Sequence, residues 1–304
     1  MRILVTGDTG FLGKRVVEQC KNKADVFGSK GYDLRINDEC AHLLYDTRPE
    51  VVIHLAASVG GIGANQKNPG SFFYDNLIMG TNLIEMSRRY RVKQFVQIGT
   101  VCCYPKFCEV PFKEESLWDG YPEETNAPYG IAKKALLTML QAYRDQYNFR
   151  SVFLIPTNLY GPGDNFNENS SHVIPALIKK IYDAKKNNET LKVWGTGSAT
   201  REFLYVDDAA RAICGAVERV DDASPVNLGG GEEISIKDLT EMLCWKMNYN
   251  GPIEWDSSKP DGQPRRKVDN SRAQELLRWK PVVDFDTGLN KTIKYYYDLI
   301  GEEV

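Results

Sequence analysis

The sequence has little excess charge, few histidines and no long apolar run. Its 304 residues include 38 Lys and Arg against 41 Asp and Glu, so the net charge is −3. A nearly neutral chain lacks the basic surface that nucleic acid or an anionic membrane attracts. No apolar stretch approaches the ~20 residues that cross a bilayer. We therefore expect no nucleic-acid partner and no membrane partner.

The seven cysteines match neither a disulfide framework nor a zinc site. Their number is odd, and no pair of C-x-x-C motifs is present among Cys20, Cys40, Cys102, Cys103, Cys108, Cys214 and Cys244. The opening residues resemble a strand and a turn, without the apolar core and cleavage site of a signal peptide. We therefore expect no bound metal and a reducing, cytoplasmic environment.

Strand and helix patterns alternate along the first half of the chain. Apolar runs predict strands at 2–6, 25–28, 51–57, 94–98 and 151–155. Amphipathic spacing predicts helices at 11–21, 37–46, 71–90 and 128–147. An alternation of this kind predicts an α/β fold built on a doubly wound, parallel (Rossmann) sheet.

The pattern changes after residue 158. Residues 161–171 are polar and rich in turn formers, and shorter strands and helices follow them. A chain of this length is expected to hold about two domains, at ~100–200 residues each. We predict a cofactor-binding domain over 1–165, with returns near 200–228, and a smaller, discontinuous α/β substrate domain over 166–304.

A glycine-rich turn joins the first strand to the first helix. Gly7, Gly10 and Gly13 permit a tight turn, a close approach of backbone to phosphate, and contact between helix and strand. The first helical residues, Phe11 and Leu12, bring N–H groups and the positive end of the helix dipole to the same point. This strand–turn–helix context predicts a dinucleotide-binding site rather than a merely structural turn.

The residues after the second strand bear on the choice of dinucleotide. NAD sites usually carry an acidic residue there, which binds the ribose 2′-hydroxyl. This chain has Ser29 and Lys30 instead, and a hydroxyl and a cation suit a 2′-phosphate. We therefore predict NADP(H), with Lys30 at the phosphate and Asp33 and Leu34 beside the adenine. The alternative is that Lys30 simply faces solvent.

Tyr129 and Lys133 are four residues apart near the start of a predicted helix, so their side chains share one face. A free tyrosine has a pKa near ~10, and a neighbouring ammonium lowers it by favouring the phenolate. The pair can then act as a general acid/base. By itself Tyr-x-x-x-Lys is usually a solvated helix face. The catalytic interpretation here depends on the glycine turn and on Thr100, a hydroxyl-bearing residue at the end of the fourth predicted strand.

Together these motifs resemble the extended short-chain dehydrogenases/reductases, which act mainly on nucleotide sugars. The resemblance implies a Rossmann domain for the cofactor and a smaller domain for the sugar nucleotide. It implies catalytic roles for Thr100, Tyr129 and Lys133. It also assigns further residues to the cofactor site, namely Ala56, Ala57, Lys133, Pro156, Asn158 and Leu159.

Longer strings resemble one branch of that family, the GDP-L-fucose synthases, in order and spacing. They occupy residues 59–65, 102–105, 156–162, 164–166, 171–177, 193–197 and 201–208. This resemblance implies epimerisation at carbons 3 and 5 and NADPH-dependent reduction at carbon 4 of GDP-4-keto-6-deoxy-D-mannose. It makes Cys102 and His172 the epimerase acid/base pair, and free thiol and imidazole groups do exchange protons near neutrality.

The same branch implies substrate contacts and an assembly. The implied substrate residues are Asn165, Val173, Lys180, Trp194 and Arg201, with Lys180 and Arg201 near the GDP moiety. The structural alternatives are a solvated charge at Lys180 and a core aromatic at Trp194. The relatives also imply a homodimer that pairs the helices at 71–90 and 128–147. His54, inside an apolar strand, is predicted to be a core residue.

One departure from the branch keeps other substrates open. Thr100 stands where these enzymes commonly have serine, and its extra methyl narrows the site. The first alternative is a 4-keto reductase or 3,5-epimerase/4-reductase for another nucleotide sugar, such as a GDP-6-deoxyheptose. A sugar 4-epimerase or 4,6-dehydratase is less favoured, because those enzymes recycle a tightly held NAD. A non-catalytic NADP-binding interaction protein is disfavoured by the intact set of Thr100, Tyr129 and Lys133.

Overall fold

The computed structural model describes residues 1–167 and 170–302. Its strands are β1 (Arg2–Thr6), β2 (Asp25–Gly28), β3 (Val51–His54), β4 (Gln94–Ile98), β5 (Ser151–Pro156), β6 (Asn158–Tyr160), β7 (Leu191–Trp194), β8 (Thr200–Tyr205), β9 (Pro225–Leu228), β10 (Glu233–Ser235) and β11 (Ile253–Asp256). Its α-helices are α1 (Phe11–Cys20), α2 (Asn37–Thr47), α3 (Ile62–Lys67), α4 (Pro69–Arg89), α5 (Ala127–Tyr147), α6 (Val173–Asn187), α7 (Val206–Arg219), α8 (Ile236–Lys246), α9 (Ser271–Leu277) and α10 (Phe285–Ile300).

Six parallel strands form the central sheet, in the order β2-β1-β3-β4-β5-β9. Helices cover both faces: α2, α4 and α5 pack on one, and α1, α7 and α9 pack on the other. Leu4, Val52 and Val96 on the middle strands are fully buried. A strand buried on both faces has a continuous apolar sequence rather than an alternating one. The predicted doubly wound Rossmann sheet is confirmed.

The predicted elements of the first half agree with the structure to within two residues at most ends, and two differences are larger. β3 ends at His54 rather than at residue 57, because the next residues leave the ladder to pass the glycine turn. There Ala56 N donates to Thr6 Oγ1 at 3.2 Å. The second difference is α3, which was not predicted. Its six residues are too few for an amphipathic pattern to be recognised.

The later residues build two smaller sheets and also return to the first. β8 pairs with β6 and β10, and β7 pairs with β11. β9, α7 and α9 pack with the central sheet, whereas α6, α8 and α10 enclose a separate apolar cluster. The domain limit at residue 165 stays a prediction. None of the described helices is both long and apolar enough to span a membrane.

The start of α1 lies directly on the turn that precedes it. A β-carbon on Gly13 would stand 2.0 Å from the carbonyl oxygen of Gly7, and that oxygen belongs to rigid backbone. Gly13 is itself buried inside the helix. Only a residue without a side chain therefore lets α1 seat against the end of β1.

We expect Gly13→Ala to lower the free energy of unfolding by about 1–3 kcal/mol or more, because the backbone must shift to admit the methyl group. Urea unfolding measures this. The matched control is Gly70→Ala in the first turn of α4, where no atom lies within 4 Å of the new methyl position. Alanine favours the helix there, so the control should unfold at the same or a higher urea concentration. Equal stability of Gly13→Ala and the wild type would contradict the contact.

His54 is a core residue at the end of β3, as predicted. Its side chain is completely buried, and Nδ1 lies 2.7 Å from Thr6 Oγ1. Burial, aided by the charge of Lys133, lowers the pKa of His54 to about 3. The imidazole is therefore neutral across the physiological range and joins the ends of β1 and β3.

This burial makes the fold sensitive to acid. Unfolded histidine titrates near ~6.5, so between that pH and 3 the unfolded chain binds more protons and the native state loses stability as pH falls. At pH 5 the loss from this one group is about 2 kcal/mol relative to pH 7. We expect the stability difference between wild type and His54→Asn to shrink by that amount over the interval, as measured by chemical unfolding. His42→Asn, on an exposed part of α2, is the control. A constant difference would show that native His54 takes up the proton.

Candidate active site

The carboxyl ends of the central strands lie along one edge of the sheet. Several of the predicted cofactor and catalytic residues follow these strand ends. The glycine turn follows β1, Ala56 and Ala57 follow β3, Thr100 follows β4, and Pro156 closes β5. In open α/β sheets, ligands bind in the crevice outside this edge. A ligand is therefore expected at this edge.

The glycine turn is shaped to hold a phosphate. Gly7 has a φ of 71°, and a β-carbon there would lie 2.9 Å from Ala56 N. Gly10 begins α1 in an extended conformation, and no side chain caps the helix. The first N–H groups of α1, at Phe11 and Leu12, therefore remain available to an anion. The residues present fit the pyrophosphate of a dinucleotide.

The end of β2 carries the residues predicted to select the dinucleotide. Ser29 Oγ accepts a long hydrogen bond of 3.4 Å from Gly7 N, and Lys30 is exposed beside it. Asp33 is ion-paired with Arg35 at 2.7 Å. The side chain of Leu34 lies in the apolar core, so a contact of this residue with the adenine would have to come from its backbone.

A short 3₁₀ helix, Val101–Cys103, follows Thr100 and packs on the start of α5. Thr100 Oγ1 accepts a hydrogen bond of 3.2 Å from Cys102 N. A β-carbon on Gly130 would stand 2.2 Å from Cys102 O, and Cys103 Sγ donates to Gly130 O at 3.3 Å. Backbone therefore rests on backbone here. The turn that carries Thr100 and Cys102 is therefore held against Gly130, the residue that follows Tyr129 in α5.

Tyr129 and Lys133 are both buried on the same face of α5. The Lys133 ammonium lies 5.8 Å from the centre of the Tyr129 ring. Burial raises the pKa of Tyr129, with further contributions from Cys102 and Cys103, and lowers the pKa of Lys133 to about 8. The expectation that Lys133 lowers the pKa of Tyr129 is therefore wrong for this structure. Burial raises this pKa instead, so the phenol keeps its proton at neutral pH.

His172 begins α6 as its N-cap residue, without a capping hydrogen bond from its side chain. Solvent reaches the ring, yet protein atoms crowd it on the remaining sides. This crowding, together with the charge of Arg266, lowers the pKa of His172. The preceding loop rests on residues 59–65: Gly61 N donates to Ser170 O at 3.3 Å. Val173, also predicted in the site, is the first residue of α6.

Two buried arginines lie next to each other near His172. Arg201 donates to the carbonyl oxygens of Thr200, Gln263 and Asp261 at 2.8, 2.6 and 2.8 Å. Arg266 donates to Gln263 Oε1 at 3.1 Å. Burial and the charge of Arg266 lower the pKa of Arg201 to about 9. Neither guanidinium forms a salt bridge to a carboxylate among residues 1–167 and 170–302. The pair therefore favours an anionic ligand.

Trp194 forms an open platform beyond the arginines. Half of its surface is exposed, so the alternative of a core aromatic is wrong. The ammonium groups of Lys180 and Lys259 lie 5.3 and 5.5 Å from the centre of one of its rings. Lys180 also donates to Lys192 O at 3.2 Å, so it is more than a solvated charge. An aromatic face flanked by cations suits the base and phosphate of a nucleotide.

Asn158, Leu159 and Asn165 lie on the segment that leaves the sheet. Asn158 Nδ2 donates to Glu202 O at 2.9 Å, which joins β6 to β8, and Leu159 is the next residue of β6. Asn165 Nδ2 donates to Ser170 Oγ at 2.8 Å. The loop before it contacts α1, since Arg15 Nη2 donates to Pro162 O at 3.1 Å. The predicted cofactor and substrate residues thus lie on neighbouring segments.

Comparison with known proteins agrees with this geometry. The family model described as "NAD dependent epimerase/dehydratase family" matches residues 3–229. The chain is 39% identical to the GDP-L-fucose synthase of Sinorhizobium fredii, over 99% of this chain and 97% of that protein.

The chain belongs to the NAD dependent epimerase/dehydratase family.

Two solved structures are similar over nearly the whole chain. A GDP-L-fucose synthetase from Naegleria fowleri bound to NADP has a TM-score of 0.87 and 32% identity, covering 98% of this chain and 93% of that one. A GDP-6-OMe-4-keto-L-xylo-heptose reductase from C. jejuni has a TM-score of 0.91 and 26% identity, covering 98% and 97%. The predicted resemblance to the GDP-L-fucose synthases is thereby confirmed.

Several residues of this family member were not identified from the sequence. Asp8, inside the glycine turn, accepts from Ser29 N at 3.0 Å and so positions the end of β2. Asp261 accepts from Thr196 N and Oγ1, both at 2.8 Å, and draws its loop against the end of β7. Asp164 is buried, which raises its pKa to about 7. Arg266 is the fourth of these residues. An unusual acid within a glycine turn was the one available signal.

Arg266 gives the site a direct test with inorganic pyrophosphate. We expect this anion to raise the melting temperature of the wild type by binding between the buried arginines, and to have little effect on Arg266→Met. The matched control is the neighbouring Arg265→Met, because Arg265 is exposed and ion-paired with Glu233 at 2.6 Å. Thermal unfolding with and without the anion measures the effect. An equal rise in both variants would contradict an anion site at Arg266.

Proposed function

We propose that this enzyme converts GDP-4-keto-6-deoxy-D-mannose to GDP-L-fucose, by epimerising carbons 3 and 5 and reducing carbon 4 with NADPH. The observation that carries the proposal is the close packing of the turn with Thr100 and Cys102 on α5, the helix of Tyr129. A β-carbon at Gly130 would stand only 2.2 Å from Cys102 O. The full-length match to a GDP-L-fucose synthase supports the substrate. The similar structure bound to NADP supports the cofactor.

The epimerisation depends on groups that exchange protons near neutral pH. The ketone at carbon 4 acidifies the protons on carbons 3 and 5, so each can leave as the enolate forms. Cys102 and His172 are proposed to remove the proton from one face and return one to the other. The lowered pKa of His172 keeps its imidazole neutral and able to accept a proton.

The reduction needs an acid that is still protonated when the alkoxide forms. Bound NADPH supplies the hydride to carbon 4. Tyr129 is proposed to donate its proton to the new alkoxide; burial raises the pKa of Tyr129, so the phenol still carries that proton when the alkoxide forms. Thr100 Oγ1 is proposed to bond the same oxygen. Lys133 is proposed to hold the nicotinamide ribose and to supply positive charge beside the phenol.

Binding is divided along the crevice. The glycine turn, Ser29 and Lys30 are proposed to hold the pyrophosphate and 2′-phosphate of the cofactor. The other cofactor contacts are proposed at Asp33, Leu34, Ala56, Ala57, Pro156, Asn158 and Leu159. Arg201 and Arg266 are proposed to bind the diphosphate of GDP, with Lys180 and Trp194 towards the nucleoside and Asn165 and Val173 towards the sugar.

The finer biological context is proposed as well. α4 and α5 pack together, and Phe73, Tyr74 and Tyr147 on them are exposed. These apolar groups support a homodimer that pairs the two helices. Seven cysteines without a disulfide support a reducing, cytoplasmic location.

A second candidate is the same chemistry on another GDP-4-keto sugar, such as a 6-deoxyheptose. Two observations favour keeping it: Thr100 is bulkier than the serine common in the branch, and a GDP-heptose reductase has a TM-score of 0.91. Turnover of a GDP-4-keto-heptose at a higher kcat/KM than the fucose precursor would establish it.

A turnover assay in deuterated water tests the main proposal. We expect NADPH oxidation with GDP-4-keto-6-deoxy-D-mannose and deuterium at carbons 3 and 5 of the product. Cys102→Ser and His172→Gln should lose the deuterium, while Cys108→Ser and His42→Gln serve as matched controls. Tyr129→Phe should lower kcat about 10²–10⁴-fold. NADPH oxidation without deuterium would remove the epimerase role, and no oxidation would contradict the substrate.

A further inference from the structure

Two cysteines that are far apart in sequence meet between α1 and α7. Cys20 is the last residue of α1, Cys214 lies in the middle of α7, and their sulfurs are 2.7 Å apart. Both are reduced in this structure. All seven cysteines lie within the described residues. Among them, Cys20 and Cys214 are the two whose sulfurs lie within hydrogen-bond distance of each other. Neither belongs to the site at the carboxyl edge of the sheet.

The two helices are held at this distance by several independent contacts. Towards the start of α7, Gln19 Nε2 donates to Asp207 O at 3.1 Å, and Arg15 pairs with Asp207 at 3.4 Å. Beyond the cysteines, Lys23 pairs with Glu218 at 3.0 Å. Contacts on both sides of the cysteines thus fix the separation of the helices. A sulfur–sulfur bond of ~2.05 Å needs a movement of less than ~1 Å from here.

Access and acidity favour reaction at this pair. Cys20 is buried, but Cys214 is partly exposed, and Gly215 beside it leaves room that a side chain would fill. The hydrogen bond from Cys214, together with the charge of Lys23, lowers the pKa of Cys20. The same hydrogen bond raises the pKa of Cys214, so of the two sulfurs Cys20 more readily gives up its proton.

We propose that Cys20 and Cys214 form a reversible disulfide when the protein meets a peroxide, and that this bond clamps α1 to α7. The Cys20 thiolate attacks one oxygen of hydrogen peroxide and becomes a sulfenic acid, releasing hydroxide. The Cys214 thiol then displaces the hydroxyl of that sulfenic acid as water, and the sulfur–sulfur bond forms. Two thiols are oxidised, one peroxide is reduced, and the two lost protons end in two molecules of water.

The clamp acts on the unfolded chain more than on the native one. The bond closes a loop between residues 194 positions apart, which restricts the unfolded ensemble strongly. We expect the melting temperature of the oxidised chain to rise by roughly 5 °C or more. The active-site edge is at the other end of α1, so the bond leaves the catalytic groups where they are.

Peptide mapping of the full chain tests the bond directly. After limited hydrogen peroxide, alkylation of remaining thiols and trypsin digestion, we expect residues 16–21 joined to residues 212–219 with the loss of two hydrogens. Dithiothreitol should separate the peptides and reverse the rise in melting temperature. Cys108→Ser should behave like the wild type, whereas Cys214→Ser should show neither the linked peptide nor the rise. Cys20→Ala provides a second test, and the melting temperature of each reduced variant checks that it folds.

The opposite result is equally clear. Once peroxide has been consumed, recovery of Cys20 and Cys214 as separately alkylated or overoxidised residues would overturn the proposal. A linked peptide that involves other cysteines in place of these two would also overturn it. Under reducing conditions Cys214→Ser should turn over substrate within about twofold of the wild type, because its side chain lies outside the catalytic groups.

Discussion

Backbone lies directly on backbone at the carboxyl edge of the parallel sheet, and the rest of the site depends on that contact. At Gly13 the missing side chain lets α1 seat against the turn after β1. At Gly130 it lets the turn after β4 seat against α5. The β-carbons of any other residue would stand 2.0 and 2.2 Å from carbonyl oxygens at these two points. Two helices and two loops are thereby held at distances that larger side chains would forbid.

Burial, more than pairing of charges, sets the electrostatics of the site. Lys133, Arg201 and Arg266 are buried without a carboxylate salt bridge within the described residues, and the charge of Arg266 also acts on His172. Burial lowers the pKa of Lys133 to about 8 and of Arg201 to about 9. Cations kept in such surroundings disfavour the ligand-free state and favour an anion that neutralises them. A nucleoside diphosphate sugar and a phosphate-rich cofactor are ligands of this kind. The same burial raises the pKa of Tyr129 and keeps its phenol protonated at neutral pH.

Residues on the loops outside the sheet edge can change while the buried core stays the same. Thr100 carries a hydroxyl, as serine does, and adds a methyl group just after the end of β4. Asp8 gives the glycine turn a carboxylate that binds Ser29 N and orders the end of β2. Each change leaves the buried sheet untouched. A fold of this type can therefore accept a different sugar or tune its cofactor site without loss of its core.

The sequence by itself determined the Rossmann sheet, its glycine turn and the motif residues. Strands buried on both faces are continuous apolar runs, and the contacts at Gly13 and along Tyr129 and Lys133 are local in sequence. Only the tertiary structure decided what depends on distant segments. It brought Arg266 beside Arg201 and His172 and placed Leu34 in the core. It also reversed the expected direction of the Tyr129 pKa shift, because the spacing of residues along a helix does not reveal how deeply they are buried. It also joined Cys20 to Cys214, which no sequence pattern relates. Such contacts form when helices that are far apart in sequence pack together, and local sequence patterns do not predict which helices these are.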